Sequence, residues 1–332
     1  MITARITLST LLLLLFGGIV SSAFATDSER LLRRASRYFE PLPATMPGAE
    51  QDTDARIALG KQLFFDVRLS INDGQSCETC HRLGEGRAGI DNLPTAVGAK
   101  GDVGPRNTPT VLNAGWQFKQ FWDGRAEDLA DQAKQPILNP IEMAMPSAEA
   151  VIEKLKGIAE YRESFAKAFP DSAEPLTYDN LAEAIAAFER TLRSESRFDD
   201  FLNGDTAALN AQEQRGLDEF LRLSCNNCHD GPLLGGGLFR NIEEKAPYPN
   251  QKDRGRIEVT KNPDDLMVFK VAPLRNVAVT APYFHDGQVA TLADAINMMG
   301  RLAVGVEFTA QQVDELVAFL GALTDKQLEG AR

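Results

Sequence analysis

The chain has 332 residues, 43% of them hydrophobic, which is enough to bury the cores of two compact domains. Its formal net charge of -12 argues against nucleic acid or an anionic membrane as partner, and leaves a basic soluble protein open. With only four cysteines and three histidines, any metal or redox chemistry must be organised around few side chains.

The first residues read as a secretory signal. Arg5 is the basic start, Leu8 to Val20 the apolar stretch, and Ala23-Phe24-Ala25 a small-residue cleavage site. The apolar run falls short of the roughly 20 residues that span a bilayer, so a transmembrane anchor is the weaker reading. Residues 1-25 are therefore expected to be a signal peptide that sends the mature chain to the periplasm, with no later membrane span.

Ser28 to Phe39 is a short charged helical pattern closed by Pro41, Pro43 and Pro47. Thr53 to Phe65 is a second helix, apolar at Ile57, Leu59, Leu63 and Phe64, with Gly60 inside it. Cys77-Glu78-Thr79-Cys80-His81 follows, and its pattern returns at Cys225-Asn226-Asn227-Cys228-His229. Cys-x-x-Cys-His is the attachment signature of c-type haem: two thiols one turn apart add to the porphyrin vinyl groups, and the histidine ligates iron as the proximal ligand. A zinc site made from both cysteine pairs is the rival. Zinc ribbons keep their pairs close in sequence, and zinc does not require a histidine after each. The two motifs consume all four cysteines, which leaves none for a disulfide.

Gly84 to Gly104 is rich in glycine and lacks helical periodicity, as expected of a loop folded over something. Pro105 to Pro146 is mostly irregular apart from a short helix near Glu127 to Lys134, and holds both tryptophans, Trp116 and Trp122. Helices resume with one capped by Ser147, one over Ala159 to Ala168, and one capped by Thr177 and running to Leu192. Ser194 to Thr206 is polar and marks the expected domain junction, giving domains 26-193 and 194-332. Asn210 with Glu213 opens a helix into the second haem motif. Arg256 to Thr260 and Leu266 to Val271 are expected to pair as a small hairpin. Thr291 with Asp294, and Thr309 with Gln312, open the last two helices.

An internal repeat runs through this order. Gly60-x-x-x-Phe64 precedes the first haem motif and Gly216-x-x-x-Phe220 the second, and the halves close on Ile185-Ala186-Ala187-Phe188 and Leu316-Val317-Ala318-Phe319. A glycine lets the closing helix cross tightly while a phenylalanine fills the contact. The expected fold is mainly α, with two cytochrome c-like domains that each carry one covalent haem.

Over nearly its whole mature length the chain resembles the bacterial di-haem cytochrome c peroxidases. The resemblance is carried by Gly104-Pro105-Arg106-Asn107-Thr108-Pro109-Thr110, Gln120-Phe121-Trp122-Asp123-Gly124-Arg125-Ala126, Asn139-Pro140-Ile141-Glu142-Met143 and Ala281-Pro282-Tyr283-Phe284-His285-Asp286-Gly287. It implies a peroxidatic haem on His81, with Gln132 and Glu142 as the distal pair. It also implies Trp122 as relay between haems and an electron-entry haem on His229. By themselves, Glu142 is an ordinary helix-entry carboxylate and Trp122 an ordinary core aromatic. Met267, His285, Met298 and Met299 are candidates for the sixth ligand of the second haem. A thioether raises the potential, and the resemblance selects Met299, directly before Gly300-Arg301. It further implies a calcium site of Asn107 with the carbonyls of Thr280 and Pro282. A small cytochrome c or cupredoxin donor and a homodimer complete the implied partners.

One departure matters. Many family members carry a histidine in a Thr-x-x-Gly-His stretch that caps the peroxidatic iron until the enzyme is half-reduced. Here the stretch is Thr95-Ala96-Val97-Gly98-Ala99, and the only histidines are His81, His229 and His285. Lys100 is adjacent, but lysine starts near pKa 10.4 and must lose its proton to ligate. The expectation is a peroxidase that needs no reductive activation. MauG-like relatives, which mature a protein-derived quinone, share the open site but replace the methionine with tyrosine. A plain di-haem electron carrier is the third reading, and Gln132 with Glu142 weighs against it.

Overall fold

The computed structural model describes residues 26–84 and 86–329, so the expected signal segment lies outside the described residues. The fold is mainly helical, with one two-stranded ribbon. None of the described helices is long and apolar enough to cross a membrane.

Helix α1 is Asp27–Ala35 and α2 is Asp54–Phe64; α3 (Leu129–Leu138), α4 (Ala148–Lys156), α5 (Ala159–Ala168) and α6 (Tyr178–Glu189) complete the first half. The second half has α7 (Arg197–Leu202), α8 (Ala211–Arg222), α9 (Leu292–Met299) and α10 (Ala310–Gly321). The caps follow the sequence. Ser147 and Thr177 accept N–H bonds at the starts of α4 and α6, and Asn210 with Glu213 forms a reciprocal capping box at α8.

The repeat expected from glycine and phenylalanine is built as expected. A Cβ on Gly60 would lie 1.7 Å from the Ala184 carbonyl oxygen on α6 and 2.9 Å from Phe188 Cβ. A Cβ on Gly216 would lie 1.9 Å from the Glu315 carbonyl oxygen on α10 and 2.8 Å from Phe319 Cβ. Only glycine admits backbones this close. Phe64 meets Phe188 edge-on at 5.2 Å, and Phe220 meets Phe319 at 5.4 Å. Each crossing anchors its own buried core, one containing Leu63, Tyr161, Phe165 and Ile185, the other Phe198, Phe201, Leu217 and Leu316.

Three details differ from the sequence reading. Helix α1 precedes the first half, yet its Leu31 and Ala35, with Phe39 beyond it, pack in the second core. Ser194 to Thr206 is not merely polar chain. It contains α7, stiffened by a Ser196–Asp199 capping box and by the buried Arg275–Asp199 pair at 2.6 Å. The proposed hairpin does not form either. Strand β2 (Val268–Lys270) pairs antiparallel with β1 (Phe239–Asn241), Phe239 opposite Lys270, while Ile257–Thr260 is a helical turn. Gly255, at φ +71°, turns the chain so that the Arg256 guanidinium covers the Phe239 ring at 4.0 Å and donates to the Asp123 carbonyl at 2.8 Å. An extended Arg256 to Thr260 would forfeit both contacts.

The halves are joined by polar ties. Arg106 bonds Asp123 at 2.5 Å and, in the second half, Asp253 at 2.6 Å. The Asn107 N–H donates to the His285 carbonyl, and the Lys270 N–H to the Trp122 carbonyl, each at 2.8 Å.

Candidate functional site

Cys77–Cys80 is a one-turn helix opened by Ser76, so its two thiols stand three residues apart on one face. Together with His81 they line a cavity of about 660 Å³. Cys225, Cys228 and His229 line a second cavity of about 510 Å³. Each volume falls within the roughly 300–1,000 Å³ of ligand and cofactor sites. The two cysteine pairs face different cavities, which removes the four-thiolate zinc reading.

Both histidines keep one ring nitrogen open to a metal. His81 Nδ1 lies 3.4 Å from the Gly89 carbonyl, and His229 Nδ1 lies 3.1 Å from the Leu234 carbonyl. A carbonyl can only accept, so Nδ1 carries the proton and Nε2 keeps its lone pair for a metal. Burial holds both imidazoles below their usual pKa, in the neutral form that ligates. In the second cavity His285 is 1% exposed, and neither ring nitrogen has a hydrogen-bond partner among the described residues. A buried polar ring of this kind calls for a polar ligand group. These residues fit two covalent haems.

On the first cavity's wall stand Gln132, Glu142 and Trp122, as expected from the sequence. Gln132 is on α3, four residues before Pro136, which has no N–H to return to the Gln132 carbonyl. Asn139 Nδ2 donates to Glu142 Oε1 at 2.8 Å. Burial raises the Glu142 pKa above its usual value, while the Arg125 charge and the Asn139 bond pull it back in part. Arg125 escaped the sequence reading as a functional residue, although its stretch was singled out. Its guanidinium lies 3.4 Å over the Phe121 ring, bonds Asp123 at 3.2 Å and lines the same cavity. Glu189 also escaped it. Buried on this cavity's wall, its carboxyl is pushed up to about 8 by burial, and its Oε2 has no partner among the described residues.

The glycine-rich loop packs against the turn that carries Glu142. Ala99 N–H donates to the Glu142 carbonyl at 2.7 Å, and a Cβ on Gly98 would meet the Ile141 carbonyl at 1.7 Å. Gln75 and Asn72 side chains hold the Val97 and Ala99 carbonyls at 2.6 and 2.7 Å. Ala96 to Gly98 line the cavity, whereas Lys100 is exposed and does not.

Of the four candidates for the second sixth ligand, Met299 and His285 line the cavity. Met267 and Met298 instead pack in a side cluster with Tyr248, Phe269 and Leu302. Asn107 lies beside the 280–286 turn through its bond to His285, and its Nδ2 donates to the Leu93 and Pro94 carbonyls at 2.9 and 3.2 Å. Trp122 Nε1 donates to the Asn107 carbonyl at 3.0 Å.

Residues 54–207 match the family model described as di-haem cytochrome c peroxidase. The chain is 45% identical over 326 residues to the cytochrome c551 peroxidase of Pseudomonas aeruginosa, covering 93% of this chain and 92% of that protein. It is 44% identical to the cytochrome c551 peroxidase of Nitrosomonas europaea, covering 88% and 86%. Among solved structures, a MauG-like protein associated with microbial copper homeostasis superposes with a TM-score of 0.75 at 31% identity, covering 86% of this chain and 94% of that one.

Proposed function

The chain belongs to the di-haem cytochrome c peroxidase family and reduces hydrogen peroxide, and from that premise we propose that its first site accepts peroxide without prior reduction of the second. Haem held by these residues would supply an iron able to exchange single electrons and to polarise peroxide.

The residues around it divide the remaining work. Glu142 takes a proton from the near oxygen of peroxide and returns it to the departing one, and solvent supplies the two protons that complete two waters. Arg125 and Asn139 keep that carboxylate able to ionise despite its burial. The Gln132 amide orients peroxide. Trp122, on the walls of both cavities, is the relay for electrons. His229 and Met299, on the wall of the second cavity, would hold a haem there and suit it to receive electrons from a small cytochrome c or a cupredoxin.

The observation that carries the proposal is the loop at residues 95–104. It docks on the Glu142 turn through Ala99 N–H and lines the cavity with Ala96 to Gly98, and at the position where many family members carry a capping histidine it has Ala99, whose side chain cannot ligate iron. The signal-like residues 1-25 support a periplasmic location, and Asn107 beside the 280–286 turn is consistent with calcium held by Asn107, Thr280 and Pro282. Two haem units, each built on one glycine crossing, with the α1 segment of the expected 26-193 domain packed on the second (194-332), and a homodimer complete this reading.

Ala99→His tests it. The variant should become low-spin at the first haem when fully oxidised and lose peroxide turnover until one electron is added. If Ala99→His stays high-spin and active as isolated, or the parent protein is inert until half-reduced, the loop does not govern access.

A further inference from the structure

Among the described residues, two line both cavities, Trp122 and Lys270. Trp122 has a role in the mechanism above. Lys270 has none, and it is the more demanding residue to place there.

Lys270 ends β2 opposite Phe239, and its side chain is buried, with the residue only 6% exposed. Its N–H ties the strand to the Trp122 carbonyl, and its ammonium donates to the Gln117 side-chain oxygen in the other half of the molecule. That partner is neutral. Among the described residues no carboxylate offsets the charge, and burial alone lowers the ammonium pKa to about 8. A buried cation is stable when it is paired and hydrogen-bonded, and one amide oxygen meets only part of that requirement. Among the described residues the other buried cation, Arg275, is paired with Asp199, and even the partly buried Arg106 has Asp123 and Asp253. Lys270 stands apart from them, in the wall between the two haem sites. Each haem carries two propionate carboxylates, the type of anion this ammonium lacks.

We propose that Lys270 binds a haem propionate in the wall shared by the two cavities, and that its single charge sets the potentials of both haems together. The inference rests on the two-haem reading. A nearby cation favours the reduced haem, which carries one positive charge fewer than the oxidised one. Removing the cation therefore lowers a potential. Because Lys270 borders both cavities, one substitution moves two couples in the same direction. Trp122, held by the same backbone bond, is kept between the sites as a side effect.

The test uses the full protein with both haems attached. Haem content per chain is measured first, so that a protein without two covalent haems would refute the di-haem reading itself. Spectroelectrochemical titration then gives both potentials for the parent, Lys270→Met and Lys270→Arg. Lys270→Met should shift the oxidised-to-reduced ratio of each haem by on the order of tenfold, about 59 mV for a one-electron couple, both downward. Lys270→Arg should retain both potentials closely. A purely structural lysine would leave the potentials unmoved or disturb them equally in both variants, and a shift in only one haem would equally overturn the proposal. Should Lys270→Met fail to mature, infrared difference spectra of haem reduction in parent and Lys270→Arg decide. The propionate carboxylate bands should differ between the two proteins, and identical bands would overturn the proposal.

Discussion

Glu142 feels two opposing influences: burial favours its neutral form, and Arg125 with Asn139 favours the anion. Burial prevails, so the carboxyl titrates above its ordinary range. In the proposed role of base for the first proton, Glu142 must be ionised, and kcat/KM should therefore rise with pH along a limb centred above the usual carboxylate values. Glu142→Gln should abolish that limb and cost about 10²- to 10⁴-fold in kcat/KM, as is typical of a lost general base. Arg125→Leu removes a charge that stabilises the anion, so its limb should move further up in pH. Steady-state peroxide turnover against pH for the three proteins measures both effects. A limb unchanged in Glu142→Gln would assign the proton transfer elsewhere, with Glu189 the next carboxyl on that cavity's wall.

At the level of helices, two crossings carry the architecture, and each depends on a missing side chain. Gly60→Ala drives a methyl into the Ala184 carbonyl, and Gly216→Ala drives one into the Glu315 carbonyl. The obstruction in each case is backbone, which cannot rotate away. Each variant should lose about 3 kcal/mol of stability through overpacking, read as a lowered denaturation midpoint of the two-haem protein. Gly60→Ala should disturb the His81 haem spectrum first, and Gly216→Ala the His229 haem. These crossings were legible in the sequence because glycine, phenylalanine and haem motif recur at matching places in both halves. Helix starts were legible for a similar reason, since Ser147, Thr177 and Asn210 announce their own caps. The β1–β2 pairing was not. It joins segments separated by a long glycine- and proline-containing loop, and the contact that decides it, Arg256 over Phe239, leaves no periodic trace. Lys270 was invisible for the same kind of reason: one lysine in a short strand looks like a solvated charge until the fold buries it.

Taken whole, the molecule is two similar units made unequal at their haem faces. The second cavity is bordered by Met299, and its wall brings His285 against the Phe269 ring at 4.2 Å. The first is bordered by Gln132, Glu142 and Arg125, with a loop whose Ala99 is bonded to the Glu142 turn. Trp122 and Lys270 form the partition between them. That inequality is what the proposed division into electron entry and peroxide chemistry rests on, and it makes the state of the first iron in the resting protein the central question. Electron paramagnetic resonance of the fully oxidised protein, combined with peroxide addition before and after one-electron reduction, answers it most directly. The open first site should give a high-spin ferric signal from the His81 haem and peroxide turnover at once, unchanged in onset by prior reduction. A spectrum that is wholly low-spin, from a protein inert to peroxide until half-reduced, would contradict it.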